Sequence, residues 1–132
     1  MRFISTRAHG LLDYVMGIFL IASPWIFGFG YTHAGMESVA LAGVGFLIVA
    51  YSAFTDYELG AIRSISMPTH LILDIIGGLF LAASPWILDF NERTYLPHVI
   101  LGVAEIGAAL MTQKTPADDR QSRGAGRPAA QS

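Results

Sequence analysis

The sequence predicts an all-α fold of four transmembrane helices, built as two parallel two-helix repeats related by a pseudo-twofold axis along the membrane normal. Three observations carry this prediction. First, the stretch from His9 to Phe29 returns 61 residues later as His70 to Phe90, identical at 12 of 21 gap-free positions, with the His, Asp, Ser, Pro and Trp of the first copy all kept. A period near 60 in a chain of 132 residues means two copies of one supersecondary unit. Second, the chain is 53% hydrophobic and 14% charged, with a mean hydropathy of +0.50, so it lacks the charge to give every helix of a soluble bundle a polar face. Third, those charges fall mostly between apolar runs of about 17 to 22 residues, close to the length that crosses a ~30 Å hydrocarbon core at 1.5 Å per residue.

Taken in order, residues 1–8 are a lead-in in which Ser5 or Thr6 is placed to cap a helix. Ser66 stands at the position equivalent to Ser5, and Pro68 behind it suits a first helical turn. Span one runs over about 8–27, carries Asp13 as its one charge, and stops at the glycine-rich turn 28–35. Span two covers about 36–54, uncharged from Ser38 onward, with Ala40, Ala42, Gly43 and Gly45 as small residues for close helix contact. A polar link over 56–67 leads to span three, about 68–88, whose one charge is Asp74; the turn Asp89–Thr94 follows. Pro97 opens span four, which carries Glu105 and ends near Gln113. The second helices of the repeats match each other poorly, and Glu105 has no acidic counterpart in span two. The membrane domain is thus 1–113, with repeat one at about 5–56 and repeat two at about 66–113. The remainder, 114–132, is rich in Pro, Ala, Gly, Arg, Asp and Ser without apolar periodicity, and is expected to be a disordered cytoplasmic tail.

Seven of the eight Lys and Arg residues (Arg2, Arg7, Arg63, Lys114, Arg120, Arg123, Arg127) share one side of a four-span topology, and only Arg93 lies opposite. By the positive-inside rule both termini are expected in the cytoplasm. A cleavable signal peptide is not expected, because the first apolar run is long for one and its duplicate lies at residues 70–90. The net charge of −2 gives no case for nucleic-acid binding, and the absence of cysteine excludes disulfides, thiol redox chemistry and cysteine-ligated metals. Lipid is the partner expected, with self-association through the small residues as a further expectation.

At about 100° per residue, His9, Asp13, Gly17, Leu20 and Pro24 fall within one stripe about 80° wide, and His70, Asp74, Gly78, Leu81 and Pro85 repeat it. A charged Asp facing lipid near the bilayer centre costs about 2.5 kcal/mol or more, so the stripes are expected to face inward and towards each other, Gly17 and Gly78 letting the two backbones approach. Glu105, eight residues from the end of span four, lies at a similar depth, so a cluster of two His, two Asp and one Glu is geometrically open. Three readings of it compete. One is helix glue, with His–Asp pairs at i, i+4 and interhelical hydrogen bonds. Another is a proton or small-solute pathway through Asp13, Asp74 and Glu105. The third is a divalent-metal site on His9, Asp13, His70 and Asp74. The glue reading leads; no metal and no cofactor is assigned.

Ser23–Pro24–Trp25 and Ser84–Pro85–Trp86 are more informative about shape. Pro24 and Pro85 free the carbonyls of Leu20 and Leu81, and Ser23 and Ser84 are placed to satisfy them one turn back. Trp25 lies about 24 Å along the helix from His9, at the far interface that Trp favours. A kink with an interfacial anchor accounts for the motif, and a hinge beside a solute site is the alternative. His33 and His98 read as solvated histidines near the outer ends of spans two and four. No nucleophile–base pair, phosphate loop or dinucleotide fingerprint occurs, so an enzyme is not expected.

The doubled Ser-Pro-Trp, each copy preceded by matching His and Asp, resembles the SPW-repeat family of small bacterial integral membrane proteins over about residues 5–113. The resemblance implies a pair of transmembrane helices per repeat with the motif in the first, and location in the bacterial cytoplasmic membrane. It implies no activity. The resulting expectation is a non-enzymatic structural or accessory membrane protein, with a small transporter or proton-conducting module as the alternative.

Overall fold

Each of the two duplicated helices begins where a serine hydroxyl can accept a free backbone N–H. In the computed structural model, which describes residues 1–30 and 35–125, Ser5 accepts from Ala8 N–H at 3.1 Å to open α1 (Thr6–Ile26), and Ser66 accepts from Thr69 N–H to open α3 (Met67–Ile87). The other described helices are α2 (Met36–Ala53), α4 (Leu96–Met111) and α5 (Ala117–Ala125). Both duplicated helices also end alike. Gly28 (φ 79°) and Asp89 (φ 57°), 61 residues apart, turn the chain through the left-handed region. After Asp89, Phe90 N–H returns to the Pro85 carbonyl. Glycine takes this conformation freely, and Asp is among the few side chains that tolerate it.

α1 packs along α2 and α3 along α4, with lighter contact between α2 and α3. The tight seams are glycine on glycine. A Cβ on Gly45 would stand 2.6 Å from the Gly17 carbonyl oxygen, and one on Gly78 would stand 2.7 Å from that of Gly102. This corrects the expected role of Gly17 and Gly78. They bring each first helix against its own second helix, and do not bring α1 against α3. The reason is volume: imidazole and carboxylate side chains occupy the α1–α3 contact and need the axes held apart there.

The seams also show why the second helices failed to align. Gly45 corresponds to Gly102 and Thr55 to Thr112, a spacing of 57 residues against 61 for the first helices. Repeat two is therefore four residues shorter between its helices, about one helical turn.

The ends of the repeats are cross-tied. Ile4, before α1, forms a parallel bridge with Thr112, after α4; Ile65, before α3, does the same with Thr55, after α2. Backbone bonds fix both: Ile4 N–H to Met111 C=O (3.0 Å) and Gln113 N–H to Ile4 C=O (2.9 Å), with Ile65 N–H to Phe54 C=O (2.8 Å) and Asp56 N–H to Ile65 C=O (2.7 Å) as their counterparts. The N-terminal segment, the inter-repeat link and the end of α4 thus meet at one end of the bundle.

Burial is inverted relative to a soluble protein. Leu11, Val15, Ile18, Phe46, Ile76 and Val103 are more than half exposed, while His9, Asp13, Ser23, Ser52, His70, Asp74, Ser84 and Glu105 are buried. An apolar collar of this extent around a polar interior fits lipid and not water. α1, α2 and α3 are long and apolar enough to cross a membrane; α4, at 16 residues, is a shorter apolar helix. The protein is an all-helical membrane protein.

One expectation is corrected outright. Residues 117–125, read as disordered, form α5. Asp118 and Asp119 in its first turn and Arg123 in its last complement the helix dipole, and the Glu58 carboxylate accepts Ala117 N–H at 2.9 Å. Local charge, not burial of apolar surface, orders the segment. Residues 126–132 of the expected tail, with Arg127, lie outside the described residues.

Two predictions follow from these contacts. Gly45→Ala and Gly102→Ala should each lower stability in detergent by about 1–3 kcal/mol through overpacking, whereas Gly43→Ala, with open space around it, should not; thermal unfolding reads the difference. Glu58 also accepts from Thr6 Oγ1 (2.7 and 2.9 Å). Burial raises its pKa, but the hydrogen bonds from Thr6 and Ala117 outweigh this and leave it below its ordinary 4.5. Its hold on α5 is therefore complete above that value and fades as pH falls through the lowered one. Protection of the amides at the start of α5, taken against the exchange rate of unstructured chain at the same pH, should fall on acidification in the wild type and be low at every pH in Glu58→Gln.

Candidate functional site

Four of the predicted stripe residues meet at the α1–α3 crossing, and each pairs chiefly across the repeats. His9 Nε2 stands 2.9 Å from Asp74 Oδ2, and His70 Nε2 stands 3.0 Å from Asp13 Oδ2. The contacts within each helix, His9 to Asp13 Oδ1 and His70 to Asp74 Oδ2, are longer at 3.3 Å. One helical turn separates His from Asp on each helix, so both reach the same level when the helices cross. Both His are fully buried and both Asp almost so. The imidazole rings meet edge to face, with centroids 5.4 Å apart.

The outer nitrogen of each ring is held by a threonine from the cross-tied ends. His70 Nδ1 lies 2.8 Å from Thr55 Oγ1, and His9 Nδ1 lies 2.9 Å from Thr112 Oγ1. Each threonine hydroxyl gives its own proton to the carbonyl four residues back: Thr55 to Tyr51 (2.7 Å) and Thr112 to Ala108 (2.6 Å). A hydroxyl has one proton, so both threonine oxygens accept here and both Nδ1 atoms donate. The nitrogen left to face the carboxylates is Nε2 in both histidines.

The carboxylates are steered as well. Tyr51 donates to Asp74 Oδ1 at 2.6 Å and Ser52 donates to Asp13 Oδ2 at 3.2 Å. Tyr57, from the inter-repeat link, covers the quartet with its ring centroid 5.6 Å from that of His70. It passes over Gly10, where any Cβ would collide with the ring. Burial, and then the nearby Asp13 charge, raise the Tyr57 phenol above its ordinary range, so it stays neutral.

The remaining predicted residues fall elsewhere. Glu105 is buried beside Gly78, but no hydrogen bond or ion pair joins it to the quartet, and its Oε1 has no hydrogen-bond partner among the described residues. The expected five-residue cluster is therefore a quartet with a separate acid. Ser23 donates to the Leu20 carbonyl (2.7 Å) and Ser84 to that of Leu81 (2.8 Å), the two carbonyls that Pro24 and Pro85 leave without a backbone donor. Both helices continue through the proline, and Trp25 and Trp86 stand exposed at their ends. His98 is not solvated. It is fully buried against Phe90 (centroids 4.8 Å) and donates from Nε2 to the Glu37 carbonyl at 2.9 Å. The approach of α4 to the start of α2 buries it, which local sequence does not show. His33 lies outside the described residues.

Thr55, Thr112, Tyr51 and Ser52 were not singled out from sequence. The signal that could have found the threonines is their shared place just past the second helix of each repeat, visible once α2 and α4 are aligned with a four-residue gap.

One ligand atom from each of His9, Asp13, His70 and Asp74 lies within 4.8 Å of all the others, so these four residues could hold a metal ion. The quartet can equally join the repeats by pairing alone. Removing the threonine acceptors tests how far the imidazoles depend on them. Thr55→Val and Thr112→Val should each cost about 1–3 kcal/mol by leaving a buried Nδ1–H unpaired, and Ser at either position should restore most of it; unfolding in detergent and imidazole ¹⁵N shifts check this.

The SPW repeat domain family matches residues 7–112. No curated protein and no solved structure matches the chain.

Proposed function

The chain belongs to the SPW repeat domain family, and we propose that its role is non-enzymatic: a structural or accessory module of the bacterial inner membrane, crossing it four times, whose buried His/Asp quartet clamps two repeats into one bundle. The observation that carries this reading is the exchange of partners. The shorter contact of each histidine is to the aspartate of the other repeat, and each imidazole is held by the threonine that ends the other repeat. A clamp must cross the boundary it closes, and these contacts do. Pairing also answers the cost of burying carboxylates at membrane depth, about 2.5–3.5 kcal/mol each on insertion scales.

Both termini are assigned to the cytoplasm. Supporting this are the basic residues, seven of eight on the side of the chain ends, and the meeting of the N-terminal segment, the link and the end of α4 at one end of the bundle. Self-association remains part of the reading, with Gly43 on α2 and Gly77 on α3 open to a neighbour.

A second reading, a small transporter or proton-conducting module through Asp13, Asp74 and Glu105, draws on one observation: the buried Glu105 carboxylate whose Oε1 lacks a hydrogen-bond partner. The two separate cleanly in proteoliposomes. For a clamp, wild type shows no proton flux above empty vesicles, and Asp13→Asn/Asp74→Asn lowers the unfolding temperature. For a relay, wild type conducts, and Glu105→Gln abolishes the flux while the fold survives.

A further inference from the structure

We propose that the quartet is a closed, four-coordinate site for one divalent transition ion of the zinc class, ligated by Nε2 of His9 and His70 and by one carboxylate oxygen each of Asp13 and Asp74. The inference rests on the reading of the quartet as the clamp between repeats, and adds the ligand that completes it.

Size comes first. Tetrahedral zinc holds nitrogen and oxygen ligands at about 2.0–2.2 Å, which sets the edges of the ligand tetrahedron at roughly 3.3–3.6 Å. The four nitrogen–oxygen separations are 2.9, 3.0, 3.3 and 3.3 Å. Asp13 reaches His9 through Oδ1 and His70 through Oδ2, while Asp74 reaches both through Oδ2. One ligand atom from each residue lies within 4.8 Å of the others, so a central ion draws the widest pair together by about an ångström.

Hydrogen bonding within the quartet is incomplete. A proton on His9 Nε2 has Asp74 Oδ2 in line. Nε2 of His70, fully buried, has no hydrogen-bond partner, because neither carboxylate oxygen within ion-pair distance lies along its N–H direction. An N–H there would have carboxylate charge beside it at 3.0 and 3.3 Å but no aligned hydrogen bond. A lone pair there would be a ligand to an ion that also meets the other three atoms.

The surroundings have the features of a metal's outer shell. Ligating histidines give their second N–H to a fixed acceptor, which sets the tautomer and aims the ring. Here Thr55 and Thr112 are such acceptors, committed to that role by their bonds to the Tyr51 and Ala108 carbonyls. Tyr51 holds Asp74 Oδ1 and so leaves Oδ2 for the ion. Charge agrees: two carboxylates neutralise a divalent cation, and a monovalent one would leave net charge buried. Imidazole with carboxylate suits zinc over magnesium or calcium, which take oxygen at higher coordination number. With all four positions filled by buried side chains, none is left for water or substrate, which marks a structural site and not a catalytic one.

The test uses the full chain, purified in detergent without a histidine tag and stripped with chelator. Zn²⁺ titration followed by calorimetry and native mass spectrometry should give one ion per chain, unaffected by millimolar Mg²⁺. Co²⁺ in its place should show the intense visible bands of a tetrahedral site. His70→Ala and Asp13→Asn should abolish binding, while Thr55→Val and Thr112→Val should weaken it roughly 10–100-fold. His98→Ala should bind as wild type. Failure of folded wild type to bind Zn²⁺, or equal binding by the quartet variants, overturns the metal site. The clamp is judged separately on metal-free protein: if Asp13→Asn/Asp74→Asn unfolds there at the wild-type temperature, the clamp reading fails, whatever the titration shows.

Discussion

The structure depends on burying two carboxylates and two imidazoles where α1 crosses α3. Inside a membrane, such groups cannot turn to water, and lipid offers them no hydrogen bond. They must be satisfied by one another and by the helix ends around them. That requirement sets α1 and α3 face to face through side chains and leaves the glycines to bring α2 against α1 and α4 against α3. It also accounts for the ends of the second helices, where Thr55 and Thr112 project hydroxyls onto the imidazoles.

The pseudo-twofold axis passes through this cluster, and the contacts come in matched pairs: His9–Asp74 with His70–Asp13, Thr112 with Thr55, Ile4–Thr112 with Ile65–Thr55, Gly17–Gly45 with Gly78–Gly102. Symmetry is broken between α4 and α2. Glu105 and His98 have no counterparts of their kind on α2, where the equivalent positions are Ile48 and Leu41. Tyr51 and Ser52 on α2 likewise correspond to Ala108 and Ala109 on α4. The duplicated part supplies the clamp, and the divergent part decorates one side of it.

The Ser-Pro-Trp motif serves the same helices from the other end. Proline removes a donor in a place where no water replaces it, and the preceding serine returns one to the orphaned carbonyl. The helix runs on without a break, and tryptophan ends up exposed beside the turn. These three residues solve a local backbone problem within one helix, whereas the His and Asp below them solve a problem between two.

Helix positions, the repeat, the caps at Ser5 and Ser66 and the membrane character were legible in the sequence, because each arises from interactions within a few residues or from the polarity of a whole run. The His/Asp stripes were legible too, since helical periodicity alone puts i and i+4 on one face. Other features were settled by the tertiary structure. Which partner each histidine prefers depends on how two helices cross. Gly17 and Gly78 turn to the neighbour that has a matching glycine, and His98 is buried by a distant backbone carbonyl. The start of α5 is held in part by Glu58, 59 residues away from Ala117. The sequence by itself determined which groups had to leave lipid, because that cost belongs to each residue alone. Only the tertiary structure decided where they went, because partners in space are chosen by the crossing of helices and not by spacing along the chain.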